Sequence, residues 1–219
     1  MTFNTVYDTL YQSYGPQSWW PAESPFEVMV GAVLTQNTSW GNVEKAIENL
    51  KNAGSLNPSA IVNAAPEQLA AWLKPSGYFN IKVRRLRNFC TWYLLRGRLE
   101  GLASFATAVL REDLLSVNGI GPETADDILL YAFERPVFVI DAYTRRLFSR
   151  LGFIRGDEPY ETVRALFEST LAGKAQGCAA LFNEYHALIV HHGKSICRTR
   201  PLCAQCCLAS HCRTALERP

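Results

Sequence analysis

Helical spacing runs through nearly all of this 219-residue chain, and almost nothing in it alternates as a half-buried strand must. The clearest start signal is Ser24-Pro25-Phe26-Glu27: a serine cap, a proline at the first helical position and a glutamate three residues after the cap. It launches FEVMVGAVLTQ, in which almost every residue is apolar, so a central and surrounded helix is expected there. Further helices are expected over 41–53, 66–73, 80–97, 101–109, 111–117, 122–133, 143–151, 158–173 and 175–192. Gly54, Pro58, Pro66, Pro75-Ser76-Gly77, Gly97, Gly121 and Gly152 punctuate them. The fold class is all-α.

With 48% hydrophobic and 19% charged residues, the chain can bury a real core and does not have the composition of a disordered polymer. No apolar run approaches the roughly 20 residues that span a bilayer. The opening MTFNTVYDTLYQSYG has neither a basic nor an apolar signal region, so no signal peptide is expected. A net charge of +2 does not announce a nucleic-acid binder. The charges are uneven, however: Lys82, Arg84, Arg85, Arg87, Arg96 and Arg98 crowd one segment, and Arg145, Arg146, Arg150 and Arg155 another. Phosphate contacts and solvated helix faces account for such clusters equally well.

The segment LLSVNGIGPETADDILLYAF, residues 114–133, reads as helix, tight turn, helix. Gly119 and Gly121 allow a turn that residues with a Cβ would resist, and Pro122 suits the first turn of the second helix. Amides at that helix N-terminus attract a phosphate oxygen, and Val117 and Ile120 would bury between the two helices. An ordinary αα-hairpin has the same outline. Beyond it, PVFVIDAYTRRLFSRLG, residues 136–152, sets an extended apolar run before Asp141 and a basic amphipathic helix. Asp141 stands where an N-cap belongs, and a cap also fixes the direction of its carboxylate.

Five of the seven cysteines lie in the last 23 residues, in the pattern Cys197-x5-Cys203-x2-Cys206-x5-Cys212 with Cys207 as a spare thiol. Four soft thiolates so close together suit one metal centre, zinc or iron–sulfur, and His192 and His211 beside them keep zinc open. Cys90 and Cys178 are expected as buried thiols, and Tyr185 and His186 as satisfied core positions.

Together the motifs LTQNTSW (34–40), PSGYFNIK (75–82), NGIGPETADDIL (118–129), VIDAYTRRLF (139–148) and the cysteine loop resemble the helix-hairpin-helix DNA glycosylases, endonuclease III branch. In Trp19-Trp20 and Gln36-Asn37-Thr38-Ser39-Trp40 the chain is most similar to that branch's 3-methyladenine glycosylases. The resemblance covers essentially the whole chain. It implies two helical domains, 21–133 and 1–20 plus 134–219, with double-stranded DNA lying across the cleft between them. It implies a monomer in the cytoplasm, associated with the nucleoid.

The same resemblance makes Asp141 the catalytic carboxylate and Gly119, Gly121 and Thr124 the phosphate-binding hairpin. Trp19, Trp20 and Trp40 become the base cage, while Trp72 and Trp92 are expected to pack. Gln36 becomes the wedge that fills the gap left by a flipped base. A [4Fe-4S] cluster on Cys197, Cys203, Cys206 and Cys212 is implied, although the first cysteine interval is one residue shorter than the commonest spacing. Bifunctional members carry a lysine just after the hairpin; this chain has Glu123 there, and no lysine between Lys82 and Lys174. A monofunctional enzyme is therefore expected. The alternatives are a glycosylase/lyase for oxidised pyrimidines, an adenine-mismatch glycosylase, which usually carries a further domain, and a non-catalytic iron–sulfur lesion binder.

Overall fold

A computed structural model describes residues 1–19, 22–175 and 179–217. Trp20 and Cys178 lie outside them. Among the described residues there is no strand, and the chain divides into two compact units. One is Ala22–Arg135; the other is Met1–Pro21 with Pro136–Pro219.

The middle unit is built around α2 (Pro25–Leu34), whose residues from Glu27 to Leu34 are all buried. Ser24 Oγ accepts from the Glu27 amide, and Glu27 reaches back to accept from the Glu23 amide. Each buried Val or Leu there contributes about 1.5–3 kcal/mol. Around it come α3 (Trp40–Asn52), α4 (Pro58–Asn63), α5 (Pro66–Leu73), α6 (Phe79–Leu95), α7 (Arg98–Ala103), α8 (Thr107–Leu115) and α9 (Pro122–Asp127). The helices expected over 101–109 and 111–117 lie instead at α7 and α8. Gly97 (φ 79°) and Arg98 (φ 59°) are both left-handed, which breaks α6 and starts α7 at Arg98. The expected helix 122–133 narrows to α9 and then widens into a π turn, Ile128–Ala132.

The second unit joins α1 (Phe3–Tyr14) to α10 (Ala142–Leu151), α11 (Tyr160–Ala175), α12 (Ala179–Ser195) and the short α13 (Arg213–Leu216). Helical spacing was legible in α1, at the buried Phe3, Val6 and Leu10, although α1 is absent from the expected series. Its core is aromatic: Phe3 stacks on Phe148 at 5.0 Å and Phe138 on Phe167 at 4.4 Å. Val137–Ile140 is buried and belongs to neither helix nor strand. Side chains satisfy its backbone instead: Phe138 N donates to Glu168, and Ile140 N to the Tyr160 hydroxyl.

Candidate functional site

Asp141 caps α10, accepting a 2.7 Å hydrogen bond on Oδ1 from the Thr144 amide. Its other oxygen faces His186 Nε2 at 3.6 Å, the two side chains being 12% and 6% exposed. Burial pushes the carboxyl's pKa up, but the His186 contact and the Thr144 amide and hydroxyl outweigh it. The group is held below its ordinary value. It is therefore an ionised, oriented carboxylate. His186 is buried as expected, yet its partner is this carboxylate, which sequence spacing gave no means of finding. Tyr185 is a satisfied core position, its hydroxyl donating to Phe3 O at 2.7 Å.

In the middle unit, Gln36 is joined to the hairpin. Its Nε2 donates to Gly119 O and to Thr124 Oγ1, both at 3.0 Å, and Arg85 donates to its Oε1. Gly119 is left-handed at φ +104°, and a Cβ there would lie 2.4 Å from Arg85 Cγ. Gly121 corrects the expectation. Its backbone is extended, at φ −97°, and a Cβ would meet nothing within 4 Å, so the turn itself does not demand glycine there. Thr124 is buried with its hydroxyl turned toward Gln36; the group it can offer a phosphate is its backbone amide. Val117 and Ile120 are buried as expected, and an unanticipated pair, Arg111 and Asp126, ties α8 to α9 through two hydrogen bonds.

The tryptophans fall on different units. Trp19 is half-buried in the second unit, with Lys194 Nζ 5.4 Å from its ring; the same amine lies 5.9 Å from the Tyr143 ring. Trp40 opens α3 in the middle unit and donates through Nε1 to Glu44 at 2.8 Å. Trp92 is buried as expected and donates to Asp113, whereas Trp72 is half-buried. Sequence spacing gave no signal for Tyr78, left-handed at φ 46° at the start of α6 and 69% exposed.

Cys197, Cys203, Cys206 and Cys212 line one small cavity of about 20 Å³ with Leu147 and Leu208; Cys207 does not line it. Among the described residues, no three His, Cys, Asp or Glu side chains converge as ligands of a single ion. The basic helix α10 pins the loop. Arg146 donates to Cys197 O and Gly193 O, and Arg150 to Arg198 O and Thr199 O. Arg146 and Arg150 are thus half-buried, with their guanidinium groups engaged by loop carbonyls, while Arg155, Arg198 and Arg200 are exposed. His192 is fully buried, its Nδ1 2.7 Å from the Tyr14 hydroxyl and its Nε2 3.6 Å from Cys206 Sγ. His211 pairs with the neighbouring Ser210. Cys90 is a buried thiol whose pKa burial raises.

An all-helical chain with a glycine hairpin, a capped aspartate after it and a four-thiol loop has the parts of a helix-hairpin-helix DNA repair enzyme. Comparison with known proteins agrees. Residues 30–172 match the profile of the HhH-GPD superfamily base excision DNA repair proteins. A Methanocaldococcus jannaschii protein, named provisionally as a DNA repair glycosylase, is 45% identical over 210 residues, 94% of each chain. Endonuclease III of Thermotoga maritima is 31% identical over 189 residues, covering 86% of this chain and 82% of its own. Among solved structures, H. pylori 3-methyladenine DNA glycosylase bound to 1,N6-ethenoadenine superposes with a TM-score of 0.78 at 30% identity, covering 89% of this chain and 98% of that one. An endonuclease III–DNA complex superposes at 0.83 with 21% identity, over 98% and 95%, a likeness of fold. The chain belongs to the HhH-GPD superfamily of base excision DNA repair proteins. It is a DNA glycosylase, a hydrolase of N-glycosyl bonds. Among the described residues, no helix is long and apolar enough to cross a membrane.

Proposed function

We propose that this chain is a monofunctional DNA glycosylase that releases damaged, alkylated purines such as 3-methyladenine from double-stranded DNA. The observation that carries the reading is Asp141, an ionised carboxylate that caps the start of α10. As the C1′–N bond breaks, its electron pair leaves with the base and positive charge builds on the sugar. A fixed carboxylate stabilises that charge and orients the water whose oxygen bonds to C1′ and whose proton the carboxylate takes. An N3-alkylated adenine already carries positive charge and leaves as a neutral base, so no strong general acid is required.

The target nucleotide must first leave the stack. In this reading Trp19, Trp20 and Trp40 receive the base, and Gln36 fills the gap, exchanging its bonds to the hairpin for bonds to DNA. Gly119, Gly121 and the Thr124 amide hold a backbone phosphate. Tyr78, an exposed ring on a strained backbone, is suited to stack on an unpaired base. The Trp19 indole already carries Lys194, so a cationic base would share that face with a second positive charge. The 30% identity to a 3-methyladenine glycosylase supports the substrate class.

Glu123, exposed in the first turn of α9, supports hydrolysis without strand cleavage, because a carboxylate cannot form an imine with the sugar. Lys82 is no substitute: it is 1% exposed and bound to two carbonyls.

Cys197, Cys203, Cys206 and Cys212 are the proposed ligands of a [4Fe-4S] cluster. One zinc ion would draw all four sulfurs to about 2.3 Å from a single point. A cluster instead takes one sulfur on each iron, and the four thiols that line one cavity are the residues that would supply them. When bound, it would supply four bonds that cross-link the loop carrying Arg198 and Arg200. The decisive experiment for the substrate is a base-release assay on methylated duplex DNA beside deaminated and oxidised duplexes. Release from the methylated duplex is expected, and preference for oxidised pyrimidine would overturn the assignment.

A further inference from the structure

A carboxylate that only caps a helix needs one partner. Asp141 has that partner on Oδ1, the Thr144 amide, which leaves Oδ2 free to swing about the last side-chain torsion. The structure does not leave it free. Near the middle of α12, 45 residues along the chain, His186 turns its Nε2 edge to Oδ2, and α12 packs directly along α10. A buried imidazole edge costs desolvation, and an apolar residue would fill the space without that cost. The polar edge is therefore placed for what it meets.

We propose that His186 is the positioning residue of Asp141, holding the second carboxylate oxygen so that both torsions of the side chain are set before DNA arrives. This rests on the reading of Asp141 as the catalytic carboxylate. Two contacts, one to each oxygen, favour a single orientation of the carboxylate at the start of the helix. Pre-set charge is worth more than charge that must reorient as the sugar cation forms. The same contact helps to keep a buried carboxyl ionised, as the lowered Asp141 pKa indicates. The role needs a proton donor at the place of Nε2 and nothing at the place of Nδ1.

Side-chain chemistry supplies a matched pair of variants. The amide nitrogen of glutamine can occupy the place of Nε2, whereas that of asparagine falls near the place of Nδ1. Base release under single-turnover conditions, DNA dissociation constant and thermal midpoint should be measured for His186→Gln, His186→Asn and His186→Leu, each alone and with Asp141→Asn. The expected result is a rate about tenfold to a hundredfold lower in His186→Leu and His186→Asn, with DNA affinity kept and most of the rate restored by glutamine. In the Asp141→Asn background the His186 changes should have no further effect, because the group they position is gone. If His186→Leu does not fold, the glutamine and asparagine pair still decides. Equal rates in that pair, or the same further loss with and without Asp141, would overturn the positioning role alone. Full activity of Asp141→Asn by itself would remove the carboxylate from the mechanism and this proposal with it.

Discussion

Lys82 Nζ donates a 2.8 Å hydrogen bond to the carbonyl of Leu34, the last residue of α2. A second bond, to Ser76 O at 2.6 Å, completes the clamp. One buried ammonium thus closes the end of α2 beside Gln36 and the turn that precedes α6. Replacing it with methionine leaves two carbonyls without a donor, and a loss of about 2–4 kcal/mol is expected in denaturant unfolding. Burial, with Arg85 beside it, pulls the Lys82 pKa from 10.5 down to about 8. The unfolded chain therefore binds more protons than the folded one between those values, and stability from this group rises with pH across that window. The gap between wild type and Lys82→Met should widen from pH 8 to 10.5; a constant gap would mean that the amine titrates normally.

Gly119 and Gly121 should behave differently. Gly119→Ala places a Cβ against Arg85 in a left-handed conformation, and about 1–2 kcal/mol of strain is expected with weaker DNA binding. Gly121→Ala should keep its stability. Calorimetry on the two variants decides the matter, and equal losses would contradict the hairpin geometry.

Asp141→Asn should cut base release to a small residual rate, still measurable under single-turnover conditions, while DNA affinity is largely retained, as read by a binding titration beside the release assay. Since the wild-type carboxyl is held below its ordinary value, the release rate should stay level as pH falls from 8 to 5. A rate that tracked a group titrating near pH 6 would point to a different essential residue.

The purified protein should be yellow-brown, with a broad visible band and about four irons per chain. Cys203→Ser should bleach it, and Cys207→Ser should not, because Cys207 does not line the cavity. A colourless protein holding zinc would refute the cluster.

Borohydride should fail to trap an enzyme–DNA adduct, given Glu123 after the hairpin. Were an adduct to form, Lys194, an exposed amine lying over Trp19 and Tyr143, would be the residue to test, and Lys194→Met should remove it.

Much of the scaffold was legible because it is local. The Ser24 cap, the boundaries of α5, the apolar run of α2 and the cap at Asp141 each depend on residues within one helical turn. The segments between Gly97 and Leu115 were less legible. Two left-handed residues in succession move a helix start by several positions, and no spacing rule anticipates an arginine in that conformation.

The sequence by itself determined an all-helical chain, a glycine hairpin followed by a capped aspartate, and a thiol-rich tail, since periodicity, capping and cysteine spacing are properties of neighbours. Only the tertiary structure decided what those parts touch. It set His186 against Asp141, turned the Gln36 amide onto the hairpin, aimed Arg146 and Arg150 at the carbonyls of the cysteine loop, and seated His192 between Tyr14 and Cys206. Each of these pairings joins different elements of the fold. Packing of apolar faces brings such elements together, and a polar side chain's partner is set by what arrives beside it.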